Sequence, residues 1–372
     1  MKNKFISISL LLILIFALTG CFSYQDINKV LFVTLVTVDV TDTGEPMMRV
    51  EAFHAYRSKK GQGETGNRLV FESTGETIFD AIRNMNQSAI YKMDYTQNKV
   101  LVFTEKAAEY GIHKFLDIFM RDQEILLYPS IVIYRGDIHE FLHTSFKQED
   151  FTGTYLNHLL KNKVIATHLK RNQLNQYLNY REIEDQVAAI TMITMEGEPG
   201  EEKIVVQGSC ILKEDKKVGT LEDEKAKIFN LLNNQFKNGL FTISHPNKKE
   251  EHITLQVLKA KTKTNVHFES EESISVEKNV HLRISLGETQ ASLELDQKMI
   301  ETIQKELEKS IKKQGEDLFH QYAEKKIDLF QIGEAICRKK PSWYDEDVFS
   351  RIHFVVNVKV DMTTSSQTRG YR

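Results

Sequence analysis

An α+β architecture follows from three patterns in the sequence. In the last third, Ile253, Leu255 and Val257, then Val280, Leu282, Ile284 and Leu286, then Ile352, Phe354, Val356, Val358 and Val360 recur every second residue. That period marks strands with one buried face. Between the second and third of these runs lies a helical stripe of Ile300, Ile303, Leu307 and Ile311, opened by Asp296 as cap and backed by many Lys and Glu. In the first half, strands and helices alternate at irregular spacing, without a long βαβ repeat. The prediction is a mixed α/β N-terminal region followed by a C-terminal antiparallel sheet packed against one long helix.

The chain opens with Lys2 and Lys4, followed by the uncharged segment Phe5 to Ala17. That segment is shorter than the ~20 residues of a membrane span and suits the apolar region of a signal peptide. It ends on Leu18-Thr19-Gly20-Cys21, which matches the bacterial lipobox. Residues 1–20 are therefore expected to be removed, and Cys21 to carry an S-diacylglycerol and an N-acyl group. Two chains suffice for stable anchoring at ~0.8 kcal/mol per buried methylene, so the protein is expected to stay on the outer face of the cell membrane.

The 372 residues contain 41% hydrophobic and 27% charged residues, the balance of a globular ectodomain rather than a disordered chain. Basic and acidic residues number 49 and 52, for a net charge of −3. Without a basic excess, a nucleic-acid binder is excluded. The other two cysteines, Cys210 and Cys337, sit in apolar segments and are expected to be buried free thiols, since one pair is no disulfide framework.

In chain order, the β-branched run Val30 to Val40 reads as a strand buried on both faces, and Met48 to Tyr56 as its partner after the turn Thr41 to Gly44. Gly61 to Gly66 spells G-x-G-x-x-G, but a strand-like Arg68 to Glu72 follows instead of a helix, so a hairpin loop is expected. Thr77 caps a helix with Ile78, Phe79, Ile82 and Met85 on one face and Asp80 three residues on. Lys99 to Phe103 is a short strand. Glu105 to Tyr110, closed by Gly111, and His113 to Met120 are helices, and Leu126 to Tyr134 is a strand broken by Pro129. Phe151 to Gln186 is polar and helical, with Leu156, Leu159 and Leu160 packing one way. Glu196 to Gly200 is a reversal and an expected seam between domains, and Leu221 to Phe236 is an amphipathic helix.

Few motifs carry chemistry. His139-Glu140-Phe141-Leu142-His143 is a literal H-E-x-x-H, whose histidines share a helix face and could hold zinc while Glu140 activates water. The predicted helix is short, and the third ligand has only His158 and Glu149 as sequence neighbours. An exposed His pair on a surface helix is the expectation. Glu182, Glu184 and Asp185, and Glu269, Glu271 and Glu272, form acidic clusters whose carboxylates could do glycosidase chemistry but read as solvated loops. Lys259, Lys261 and Lys263 project from one strand face and could meet anionic head groups. No G-x-S-x-G elbow or P-loop occurs.

Together these segments resemble the Ger(x)C family, the lipoprotein C subunits of spore nutrient germinant receptors. The resemblance runs in order through Gly20-Cys21 with Asp26-Ile27-Asn28, Gly75 to Arg83, Lys99 to Phe103, Tyr110-Gly111-Ile112 and Arg121 to Ile125. It continues in Gly208 to Lys213, Lys217-Val218-Gly219, and Asp328 to Gly333 running on to Lys340-Pro341-Ser342-Trp343. Phe22-Ser23 and Thr37-Val38-Asp39 stand where the family commonly has Trp-Asp and Gly-Ile-Asp.

The resemblance implies a domain over residues 22–198 and a second over 203–362; the polar end, 363–372, reads as a disordered tail. The resemblance also implies an endospore-forming source, attachment to the spore inner membrane, and two membrane-embedded receptor subunits as partners. No catalysis and no cofactor are implied, which leaves Cys21 as the functional residue. The competing readings are a solute-binding lipoprotein of a transporter and an envelope zinc peptidase using His139, Glu140 and His143.

Overall fold

The structure is a computed structural model that describes residues 29–54, 67–121, 125, 127–162, 172–182, 186–345 and 347–363. The signal peptide, Cys21, the glycine-rich loop at 61–66, Glu184, Asp185 and the tail beyond Thr363 lie outside the described residues.

Strands β1 (Val30–Val40), β2 (Pro46–His54) and β3 (Asn67–Thr74) form an antiparallel meander. Helix α1 (Ile78–Ser88) and the short β4 (Lys92–Asp94) lead to β5 (Val100–Thr104), parallel to β1. Helices α2 (Glu105–Tyr110) and α3 (His113–Arg121) precede β6 (Ser130–Arg135), parallel to β5. Then α4 (Ile138–His143), α5 (Thr152–Lys161) and α6 (Leu174–Tyr180) carry the chain to β7 (Val187–Glu196), parallel to β6. The antiparallel β8 (Lys203–Lys213) and β9 (Lys216–Leu221) complete the order β3-β2-β1-β5-β6-β7-β8-β9, with β4 beside the start of β1.

The middle of this sheet is thus parallel, although no βαβ repeat is visible in the sequence. The crossovers contain unequal numbers of helices, which hides the period. Parallel strands are covered on both faces, and this explains the unbroken apolar run of β1. Leu31, Val33, Val36 and Val38 join the core under α1, α2 and α3, whereas Leu35 joins the opposite core under α4 and α5. The reversal at 196–200 is a hairpin inside this sheet, because Glu196 pairs with Lys203.

Thr77 caps α1 as expected, its hydroxyl accepting the Asp80 amide hydrogen at 3.1 Å. Ile78, Ala81, Ile82 and Met85 are buried, but Phe79, expected on the buried face, is 49% exposed. Phe79 lies one residue, about 100° of helical rotation, from Ile78 and so turns off the buried stripe toward α3. Cys210 is fully buried, whereas Cys337 is only half-buried, contrary to expectation.

The second sheet follows α7 (Asp223–Leu232) and has the order β10 (Gly239–His245), β11 (Lys248–Ser270), β12 (Ser273–Thr289), β13 (Ile352–Met362). Helices α8 (Gln297–Ala323) and α9 (Ile332–Lys339) intervene before β13. The α+β class stands, but the sheet is not wholly antiparallel, since β13 runs parallel to β12. The reason is α8, about 40 Å long at 1.5 Å per residue, which returns the chain along the sheet before β13 begins. A register shift between Val257 and Lys259 also exchanges the faces of β11: Leu258 is 42% exposed and Thr262 is buried.

Ile303, Leu307, Ile311, Leu318 and Phe319 bury the inner face of α8. Gly315 allows the approach, since a Cβ there would lie 2.9 Å from a Leu232 methyl and 3.1 Å from Val356. The polar side of α8 also serves the fold. Gln304 donates to the Val360 carbonyl at 2.7 Å, and Glu308 and Glu316 accept from the amides of Val360 and Val356 at 2.9 and 3.1 Å. These contacts occupy the outer edge of β13, which would otherwise be free to pair with another strand. Val187, Ala189, Ile211 and Leu221 of the first sheet share one core with α7, α8 and the second sheet.

Candidate functional site

The H-E-x-x-H segment is helix α4. Asp137 caps it, accepting the amide hydrogens of His139 and Glu140 at 2.7 and 3.1 Å, and these hold its carboxyl below the usual carboxylate range. Ile138, Phe141 and Leu142 are buried, so His139, Glu140 and His143 form the polar face of a six-residue amphipathic helix. The histidine rings stack at 4.1 Å, and His143 Nδ1 lies 2.8 Å from the His139 carbonyl oxygen, to which it donates. Among the described residues, no group of three or more His, Cys, Asp and Glu side chains is placed to hold a metal. The H-x-x-x-H spacing is the helical period seen from its wet side.

What positions α4 is a buried ionic network that the sequence pattern did not reveal. Glu51, on β2, is fully buried. Its carboxylate accepts from the Thr34 hydroxyl at 2.7 Å, from the Thr152 and Gly153 amides at 2.8 and 2.9 Å, and from Arg68 Nε at 2.6 Å. Arg68 then donates to the carbonyls of Leu142 and Thr144 at the end of α4, at 2.5 and 3.0 Å. A single carboxylate therefore caps the start of α5 and orients the cation that closes α4. Gly153 is required there: a Cβ would sit 2.2 Å from the Thr34 carbonyl oxygen.

A second node ties α2 to the far side of the sheet. Glu105 accepts two bonds from Arg135, at 2.8 and 2.9 Å, and one from Lys217 at 2.6 Å. Arg135 foremost, with Lys217, holds the Glu105 carboxyl down to about 2. Burial pushes the nearby Cys210 thiol up to about 12, so it is no nucleophile.

Lys278 is the least expected group. It occupies an inward position of β12, in series with Ile274, Val276 and Val280, and is 2% exposed. A charged residue inside an apolar period-two run was the available sequence signal. Its ammonium lies over the Phe330 ring, 5.2 Å from the centroid. Asp328, also buried, accepts the amide hydrogens of Ile332 and Gly333 at 2.9 and 2.6 Å and so caps α9.

Burial pushes the Lys278 ammonium down to about 8 from 10.5, with Asp328 opposing the shift. Between pH 8 and 10.5 the unfolded chain thus binds more protons, and stability rises with pH across that window. Lys278→Met is expected to exceed the wild type in stability by about 2–3 kcal/mol at neutral pH, with the gap closing toward the upper end of the window. Urea midpoints measured across that range test this, and a gap independent of pH refutes it.

A groove of about 510 Å³ between α1 and α3 is lined by Phe79, Lys114, Phe115, Ile118 and Arg121. On the second sheet, Lys259, Lys261 and Lys263 are exposed as expected, with Lys259 opposite Arg283 and Lys261 opposite His281. His281 in turn meets Asp361 at 2.6 Å. Glu269, Glu271 and Glu272 are exposed at the β11–β12 turn.

Two fused α+β units, locked through a common core and presenting their polar motifs to solvent, define a scaffold with broad open surfaces. The chain belongs to the Ger(x)C family of spore germination proteins: residues 23–195 match the spore germination protein N-terminal domain, and 207–366 the spore germination B3/GerAC-like C-terminal domain. It is 23% identical over 365 residues to spore germination protein GerQC of Bacillus cereus, covering 96% of this chain and 98% of that one. To the putative spore germination protein YfkR of Bacillus subtilis strain 168 it is 25% identical, covering 88% and 86% of the two chains. A crystal structure of the GerBC protein shares the fold, with a TM-score of 0.57 at 15% identity over 88% of this chain and 97% of that one. The family gives the chain a role in spore germination, and it is not a known enzyme family. Among the described residues no helix is long and apolar enough to cross a membrane.

Proposed function

We propose that this chain is the lipid-anchored C subunit of a spore nutrient germinant receptor. Lipid on Cys21 holds it at the outer face of the spore inner membrane, where its N-terminal and C-terminal halves dock on the two membrane-embedded subunits. It acts by position rather than by catalysis. Tethering raises the effective concentration of the ectodomain beside its partners, so weak contacts suffice for assembly and signalling. The family match across both halves of the chain is the observation that carries this reading. The lipobox ending at Cys21 supports the anchor.

The test is dipicolinate release from spores of a strain that retains only this receptor. Deleting the gene is expected to abolish the response to at least one nutrient class. Cys21→Ala is expected to weaken that response and to move the protein from the membrane to the soluble fraction. A normal response in the deletion strain refutes the reading.

A further inference from the structure

The most exposed large apolar side chain among the described residues is Ile90, at 90%. It lies between α1 and β4, and its place in the sheet gives it a neighbourhood. Strand β4 runs parallel to the beginning of β1, with Lys92 opposite Val30 and Met93 opposite Leu31. Both strands therefore start at the same end of the sheet, and Ile90 and Tyr91 stand just ahead of that end. His54, opposite Leu31 at the finish of β2, stacks on the Tyr91 ring at 4.6 Å with the planes 10° apart. Lys29 is exposed beside Val30, and Lys92 is exposed at the start of β4.

The same end is where the chain leaves for its anchor. Cys21 precedes Val30 by nine residues. A fully extended chain of that length spans at most about 30 Å. The rim holding Ile90 is thus held within about one bilayer core thickness of the lipid. An apolar tip, an amphipathic ring and flanking cations are the chemistry of the membrane–water boundary, where Tyr sits at head-group level and Lys meets anionic phosphate.

We infer that this rim rests on the bilayer surface, with Ile90 entering the head-group boundary and Lys29 and Lys92 facing anionic phospholipid. The inference rests on the Cys21 anchor proposed above. Such a contact gives the ectodomain one orientation on the membrane: the sheet end bearing Ile90 faces the lipid, and the groove beside Phe79, at the opposite end of α1, faces away. A tethered but freely tumbling domain would present all its surfaces equally. A seated one presents the same surface to its neighbours at every encounter.

The experiment uses the full-length lipidated protein in vesicles of phosphatidylglycerol and phosphatidylethanolamine. Ile90→Cys, in a Cys337→Ser background, carries an environment-sensitive fluorophore; Lys261→Cys on the open face of the second sheet is the reference. Flotation with the vesicles, and its loss in Cys21→Ala, reports the anchor separately. The expected result is a blue-shifted emission at position 90 that lipid-borne quenchers reduce at least twofold, with position 261 unchanged. A water-like signal at 90 in protein that floats overturns the inference and leaves the anchor standing. A signal at 90 that changes only when membrane-embedded subunits are added also overturns it, in favour of a protein partner. Protein that does not float refutes the anchor and the inference together.

Discussion

Glu51→Ala is expected to lower the unfolding free energy by about 3–5 kcal/mol, the usual cost of breaking a buried charge pair by removing one partner. The carboxylate is fully buried, and the Arg68 side chain that it meets is only 17% exposed. Without it, the Thr34 hydroxyl, the Thr152 and Gly153 amides and Arg68 Nε lose the carboxylate they donate to, while Arg68 keeps its bonds to the carbonyls closing α4. Glu51→Gln keeps the volume and one carbonyl acceptor, but its amide hydrogens would face donors, so an intermediate loss is expected. Urea unfolding followed by circular dichroism measures both. A loss under about 1 kcal/mol for the alanine variant would show that α4 and α5 are held by their apolar faces instead.

Asp328→Ala is expected to cost a similar amount, about 3–5 kcal/mol. Two amides at the start of α9 lose their acceptor, and Lys278 loses the carboxylate that offsets its burial. The damage spreads because Phe330, two residues on, packs on Phe319 and Phe354 at 6.5 and 5.3 Å and so joins α8 to β13. Part of the cost should vanish in a Lys278→Met background, where no buried ammonium needs compensation. A double-mutant cycle reads that coupling directly, and strict additivity would show that Asp328 acts only as a helix cap. The stretch Asp328 to Gly333 resembles the family most specifically, and its observed role is architectural.

Local signals in the sequence were read correctly where the cause is local. The Thr77 and Asp296 side chains, both expected as caps, each accept an amide hydrogen at the start of the helix they precede. The period-two runs became β11, β12 and β13, and the apolar run at Val30 became a strand covered on both sides. Helix α5 shows the opposite case. Its N-cap, Phe151, makes no side-chain bond, and the cap comes from Glu51, about a hundred residues earlier in the chain. Nothing in the spacing of Phe151 to Lys161 could show that. The H-E-x-x-H motif misleads for a related reason, since a spacing of four describes a metal pair and the wet side of any short helix equally well.

The sequence alone determined the α+β class, the most periodic strands and helices, the candidate lipidation site at Cys21 and the family, because each is written in nearest-neighbour periodicity or in ordered motifs; the short β4, β9, β10 and α9 left no such period. Tertiary structure alone decided that β1, β5, β6 and β7 run parallel, that β13 joins β12 in parallel, and that Phe79 and Ile90 face outward. It also decided that Glu51 and Lys278 belong in the interior. Strand direction and burial of charge depend on which distant segment supplies the partner. A one-dimensional period records only that a face is covered, not what covers it.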